Sequence, residues 1–221
     1  VFVVNGFYKY EKYYDAKPDY YVIVDPACFQ EGIGMQLLSG IECIREYEHI
    51  PALFVPYEVR NVVRNDYQWE RWANLYYIDV TMSFEDGYTK EWDITKPVMG
   101  VQCVVQTAAL LATYMGFKEI YLLGIEQTDI IASIERYRNK YSNPYAYEQT
   151  EEELKNIGPQ IVNLEPLESM LKGYTNIFHL YKEVYLYCQK QGADLYNCTP
   201  ASLVDSIPKK EYESLFRHGK Q

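Results

Sequence analysis

The chain has little of what metal centres and disulfide frameworks are built from. Its 221 residues include five cysteines, Cys28, Cys43, Cys103, Cys188 and Cys198, and three histidines. No CxxC occurs, the histidines lie far apart, and the cysteine count is odd. A thiolate zinc site is therefore not expected, and free thiols in a reducing compartment fit best. A basic excess is also missing. With 21 Lys and Arg against 31 Asp and Glu, the formal charge is −10 and the pI about 4.9. That balance argues against a general nucleic-acid or lipid-headgroup surface and leaves room for a local basic pocket around an anionic ligand. No apolar run of transmembrane length and no signal-peptide pattern is present, so the sequon Asn197-Cys198-Thr199 carries no weight as a glycosylation site. There is no internal repeat and no low-complexity tract.

What the chain does have is tyrosine, 24 of them. An apolar ring with a hydroxyl that needs a partner suits half-buried surfaces and polar ligand pockets. The most informative stretch is Gly100 to Glu126, GVQCVVQTAALLATYMGFKEIYLLGIE. Gln106–Met115 favours helix, Gly116 is its stop signal, and Ile120–Leu123 is a short apolar strand without polar alternation. A helix feeding a fully buried strand is half of a crossover unit, so an α/β fold with a mostly parallel sheet is expected. Ligands in such sheets sit outside the carboxyl ends of the strands, which points to Gly124, Ile125 and Glu126.

Further strands are expected at Val1–Asn5, closing on an Asn-Gly turn signal, at Tyr20–Val24, capped by Asp25-Pro26, at Ala52–Val55 and at Ala193–Tyr196. These should share one sheet with Ile120–Leu123, with helices on both faces. Gln30–Tyr47 reads as a helix through Ile33, Leu37, Ile41 and Ile44, with Gly40 allowing close packing. Residues 57–97 read as an insertion over one edge, with a small helix at Trp69 and Trp72, a strand at Leu75–Ile78 and a hairpin around Glu85–Tyr88. Residues 129–160 are polar and tyrosine-rich, the pattern of a functional loop or lid. Glu165–Gln191 reads as a helix broken near Gly173, Pro200–Ser202 as the start of a short helix, and Lys209–Phe216 as a terminal one. The chain begins at Val1 directly within an apolar strand, so a further strand is expected upstream.

Four blocks together resemble the bacterial sialyltransferase family of surface-glycan biosynthesis and the related uncharacterised capsule and flagellin-modification domains. They are VVNGFYKYEKYY, the strand ending in Asp25-Pro26, MGFKEIYLLGIE, and YNCTPASLVDSIP. The resemblance implies a single Rossmann-like three-layer α/β domain over 1–221, a mostly parallel central sheet and an irregular lid. It implies a glycosyltransferase that moves sialic or a related nonulosonic acid from a cytidine-monophosphate (CMP) sugar to a glycan hydroxyl. That reaction needs no metal and no cofactor beyond the donor substrate, and it takes place in the cytoplasm or at the inner face of its membrane. The partners implied are the nucleotide sugar and the glycan acceptor, with peripheral membrane association and homo-oligomers within the family's range.

Carried over by position, Asn5 helps hold the nucleotide, its amide both donating and accepting; a turn-forming Asn before Gly6 is the alternative. Asp25 stands where the better-characterised members have asparagine and is suited to a ribose hydroxyl. Gly100, Gln102 and Cys103 fall at a helix N-terminus that meets phosphate or sugar oxygens, where the family has small hydroxyl residues. Pro200 and Ser202 match a proline and serine that close over the nucleotide; a plain helix cap is the alternative for Ser202. Tyr145 and Tyr147 match lid tyrosines that face the donor phosphate, where a phenol donates to the departing oxygen. The family's Gly-Asn-Gly phosphate loop is expected before Val1. Its general-base histidine has no match in 148–175, which leaves Glu148, Glu126 or Asp129 for that role. Two other readings stand beside this one. The first is a magnesium-dependent pyrophosphokinase-like enzyme using Asp25, Glu126 and Asp129. The second is a catalytically inactive scaffold domain in glycan assembly.

Overall fold

The computed structural model describes residues 1–29, 35–80, 92–98, 103–137 and 166–219. The chain divides into two compact units, Val1–Phe117 and Lys118–Gln221. Both are mixed α/β structures built on parallel strands.

The first unit carries a four-stranded parallel sheet in the order β1 (Phe2–Val4), β2 (Tyr20–Val22), β3 (Ala52–Pro56), β4 (Leu75–Ile78). Pairing runs Phe2↔Tyr20, Val22↔Phe54 and Phe54↔Tyr76, among others. Side chains alternate between faces. Val3, Tyr21, Ile23, Leu53 and Val55 enter a buried cluster completed by Leu38, Ile41 and Ile44 of α2 (Met35–Ile44) and by Val59, Val63 and Trp69. Phe2, Tyr20, Phe54 and Tyr76 form a ladder of rings across the opposite face, stacked at 4.4 Å between Phe2 and Tyr20 and at 5.0 Å between Phe54 and Tyr76. Part of the stretch read as an insertion is therefore integral to this sheet: Leu75–Ile78 extends it, and Val59, Val63 and Trp69 fill its core. The hairpin expected around Glu85–Tyr88 lies outside the described residues.

Each connection between successive strands of this sheet lies on the side of the Val3–Tyr21 cluster. From β1 to β2 the chain runs through a 3-10 turn, Asn5–Lys9, and α1 (Tyr13–Ala16); Phe7, Tyr8 and Tyr13 pack into the cluster. From β3 to β4 it runs through α3 (Arg60–Val62), its flanking turns and Trp69. Then the chain changes face. α4 (Val104–Tyr114) packs against β1 and β2, and Phe117, just past its end, sets its ring edge-on to Phe2 at 5.8 Å and to Tyr20 at 6.4 Å. Phe2 and Tyr20 open their strands. The carboxyl end of α4 is thus at the amino edge of the sheet, and its amino end points to the carboxyl edge.

Gly116 ends α4 as expected. At φ +88 it takes a left-handed conformation. Its N–H bonds to Thr113 O at 3.0 Å and the Phe117 N–H to Ala112 O at 3.1 Å, the paired bonds that satisfy the last free carbonyls of a helix. The same pair recurs at Gly192.

The second unit pairs β5 (Glu119–Leu122) with β6 (Asp194–Asn197), parallel and in register Ile120↔Leu195. These two strands form a sheet of their own, distinct from β1–β4. The expectation of one shared sheet is corrected accordingly. An apolar run marks a strand as buried, but nothing in it names the strand it will pair with. α5 (Asp129–Tyr137) occupies the start of the stretch read as a lid, and 138–160 lie outside the described residues. α6 (Leu167–Lys190) runs unbroken past Gly173, packing on β6 and burying Met170, Leu180, Tyr181, Val184 and Cys188. The break is absent because a lone glycine only weakens a helix by about 1 kcal/mol, less than this buried stripe supplies. Tyr174 of α6 reaches Asp129 at 3.0 Å and Ser133 at 2.8 Å on α5, tying the two helices.

Among the described residues no helix is long and apolar enough to cross a membrane. The expected place at the inner face of a membrane is corrected on that ground. Even α6, 24 residues long, carries Glu168, Lys172, Lys182, Glu183 and Lys190.

Candidate functional site

One buried, unpartnered polar atom stands at the carboxyl edge of the β1–β4 sheet, on Asn5. Val4 and Val22 are the last paired residues of β1 and β2. Immediately past Val4, Asn5 adopts a left-handed backbone at φ 43. An Asn-Gly pair would ordinarily give that conformation to the glycine, yet here Asn5 takes it and Gly6 does not. Asparagine tolerates the region better than other side-chain-bearing residues. Asn5 Oδ1 is buried with no hydrogen-bond partner, a state that costs on the order of 1–3 kcal/mol unless something else supplies a donor.

The Asn5 main chain is held from β2. Tyr21, fully buried, donates its hydroxyl hydrogen to Asn5 O and accepts the Tyr8 N–H at 3.3 Å. Burial pushes the Tyr21 phenol well above its ordinary range, so it remains a donor. Asp25 follows β2 and is exposed, its carbonyl accepting the Cys28 N–H at 3.1 Å. The Cys28 thiol is pushed up to about 11 by burial and by the Asp25 carboxylate, so at neutral pH it is not a nucleophilic thiolate.

The amino end of α4 points toward the same edge. Its cap residue, Cys103, makes no side-chain capping bond, and no acidic residue stands in the first turn. The N–H groups there are suited to an anion. Thr107, fully buried one turn in, has an Oγ1 without a hydrogen-bond partner, whereas Thr113 returns its hydroxyl to Ala109 O at 2.8 Å. Asn5 and Asp25 thus follow neighbouring strands at one edge of the first unit, and Cys103 opens the helix directed toward it. Gly100 and Gln102, the other two helix-start candidates, lie outside the described residues, as do Tyr145 and Tyr147.

Glu126, Pro200 and Ser202 belong to the second unit, at the ends of β5 and β6. Glu126 is exposed, and its carbonyl accepts the Leu203 N–H at 2.9 Å. Ser202 is buried. Its hydroxyl donates to Ile125 O at 2.6 Å and accepts the Val204 N–H at 3.1 Å, while Thr199 Oγ1 accepts the Ile125 N–H at 3.1 Å. Pro200–Ser202 is a turn, with Ala201 at φ 53, and not the helix start expected from its Pro-x-Ser pattern. The Ser202 hydroxyl thus joins the loop after β5 to the loop after β6. Replacing Ser202 by alanine should cost about 1 kcal/mol, and the Val204 amide should lose hydrogen-exchange protection while the amides of α6 keep theirs.

Tyr21 and Thr107 did not stand out as site residues in the sequence. The only signal was a polar group at an inward position of an otherwise apolar element: the second tyrosine of YYVIV and the threonine of QTAALLA. No family model, no curated protein and no solved structure matches the chain.

Proposed function

We propose that the chain is a glycosyltransferase that binds a CMP-sugar at the carboxyl edge of the β1–β4 sheet and passes the sugar, sialic or a related nonulosonic acid, to a glycan hydroxyl. The observation that carries this reading is Asn5. Its buried Oδ1 lacks a donor at the carboxyl end of a parallel strand, where α/β sheets hold their ligands. The amino group of cytosine is such a donor; the corresponding oxygen of uracil is not. The uncapped first turn of α4 offers main-chain N–H groups to a phosphate in a chain whose net charge is −10.

In the reaction the acceptor oxygen attacks the anomeric carbon, the bond from that carbon to the phosphate oxygen breaks, and CMP leaves with the electron pair. The acceptor proton passes to a base. Tyr145 and Tyr147 are assigned to donate to the departing phosphate.

Calorimetric titration tests the reading. CMP should bind the wild type, UMP should bind more weakly, and Asn5→Ala should cost CMP about tenfold, the scale of one hydrogen bond made to a buried group. A wild type that binds neither nucleotide overturns it and favours the scaffold. The magnesium-dependent reading has less support. Among the described residues no group of three or more His, Cys, Asp or Glu is placed to hold a cation.

A further inference from the structure

We infer that Tyr21 is a positioning residue for the nucleotide site, its hydroxyl holding the Asn5 main chain in the left-handed conformation that directs the Asn5 amide. The inference rests on the reading of Asn5 as a nucleotide contact.

A phenylalanine would fill the same space in β2, where Tyr21 is wholly buried. The hydroxyl is an added polar group whose burial is unfavourable unless both its roles are used. Both are used, and on one turn. The oxygen accepts from the Tyr8 N–H at 3.3 Å, and its hydrogen goes to the carbonyl of Asn5, three residues back. One side chain thereby closes Asn5–Tyr8 from the neighbouring strand.

The orientation of a carbonyl sets ψ of its own residue, and with φ at 43 the Asn5 backbone lies in a narrow allowed region. Releasing the carbonyl lets Asn5 relax to negative φ, which swings Cβ and the amide away. The unpartnered Oδ1 fits this account. Among the described residues nothing holds the amide through its own side-chain oxygen, so the direction of the amide depends on the main chain beneath it. Burial keeps the phenol protonated, so the hold does not vary across the working pH range.

Two measurements on Tyr21→Phe test this, both at a temperature where each variant is folded. The first needs no ligand. The strong intraresidue amide-to-Hα NOE of a positive-φ residue should be present at Asn5 in the wild type and lost in Tyr21→Phe; its persistence would overturn the inference. The second is a double-mutant cycle read by CMP titration. Tyr21→Phe should weaken CMP about tenfold when residue 5 is asparagine and leave it unchanged in the Asn5→Ala background, the full coupling of one residue acting through another. Equal losses in both backgrounds mean a general structural effect and overturn it. A wild type that binds no CMP overturns the nucleotide reading, and the NOE alone then decides whether Tyr21 sets Asn5.

Discussion

Trp69→Ala should destabilise the first unit by about 3–5 kcal/mol, the usual cost of removing a large aromatic from a packed core. Trp69 is fully buried among Phe29 at 6.0 Å, Tyr67 at 5.8 Å and Trp72 at 6.1 Å. Its indole N–H donates to the Glu42 carboxylate on α2. Truncation therefore opens a cavity between α2 and the β3–β4 connection and leaves a part-buried carboxylate without its donor, two losses of the same sign. Urea unfolding followed by the fluorescence of the remaining tryptophans reads the first unit specifically, because Trp72 and Trp92 both belong to it. A midpoint close to that of the wild type would mean that the cluster around Trp69 is not the core of this unit. Trp69→Phe, which keeps most of the volume, should fall well short of the alanine loss, and the remainder measures the bond to Glu42.

Much of the first unit was legible from its sequence. The short apolar runs at Val1–Asn5, Tyr20–Val24 and Ala52–Val55 are strands because β-branched and aromatic residues with flanking turn signals leave few alternatives. Gly116 was legible for the same local reason: one residue with φ +88 ends the helix. Pairing was not. The run at Ile120–Leu123 looks the same whether it joins β1 or β6, and partner choice is settled by contacts far apart in sequence. The short helical turn at Trp69 is legible, but not that its ring is buried, because the irregular turns between β3 and β4 have no periodicity to show which side faces inward.

The site was legible at its main-chain signposts and not in its hydrogen bonding. That Asn5 and Asp25 follow buried strands is legible in the apolar runs before them. That Asn5 rather than Gly6 takes the left-handed backbone, and that a tyrosine hydroxyl from the next strand bonds its carbonyl, are tertiary facts. Ser202 illustrates the opposite error. Its place in a Pro-x-Ser run suggests a helix start, while its hydroxyl in fact joins two loops of the second unit.

Gly40→Ala should destabilise the first unit by about 2 kcal/mol net and weaken the proposed CMP site with it. Glycine in mid-helix is worth about 1 kcal/mol less than alanine, so on propensity alone the change would stabilise α2. Packing decides otherwise. A Cβ at residue 40 would lie 2.1 Å from Tyr8 Cε2, 2.2 Å from Cζ and 2.5 Å from Cδ2, distances no real contact tolerates, and overpacking of this kind costs about 3 kcal/mol at the top of its usual range. The whole ring must therefore move. The ring is packed against the α2 cluster, which resists its turning, and the Tyr8 N–H is bonded to Tyr21 Oη at 3.3 Å while Tyr21 also bonds Asn5. Strain at Gly40 is thus passed along Tyr8 to the turn that carries Asn5, some thirty-five residues away in sequence. Unfolding midpoints for Gly40→Ala, Tyr8→Ala and the double variant form a cycle. The double variant should be more stable than the sum of the single losses by 1 kcal/mol or more, since removing the ring removes the clash. Additive losses would mean that Tyr8 and Gly40 do not meet, and CMP titration of the double variant should then show whether the Asn5 turn depends on the Tyr8 ring or on its main-chain bond alone.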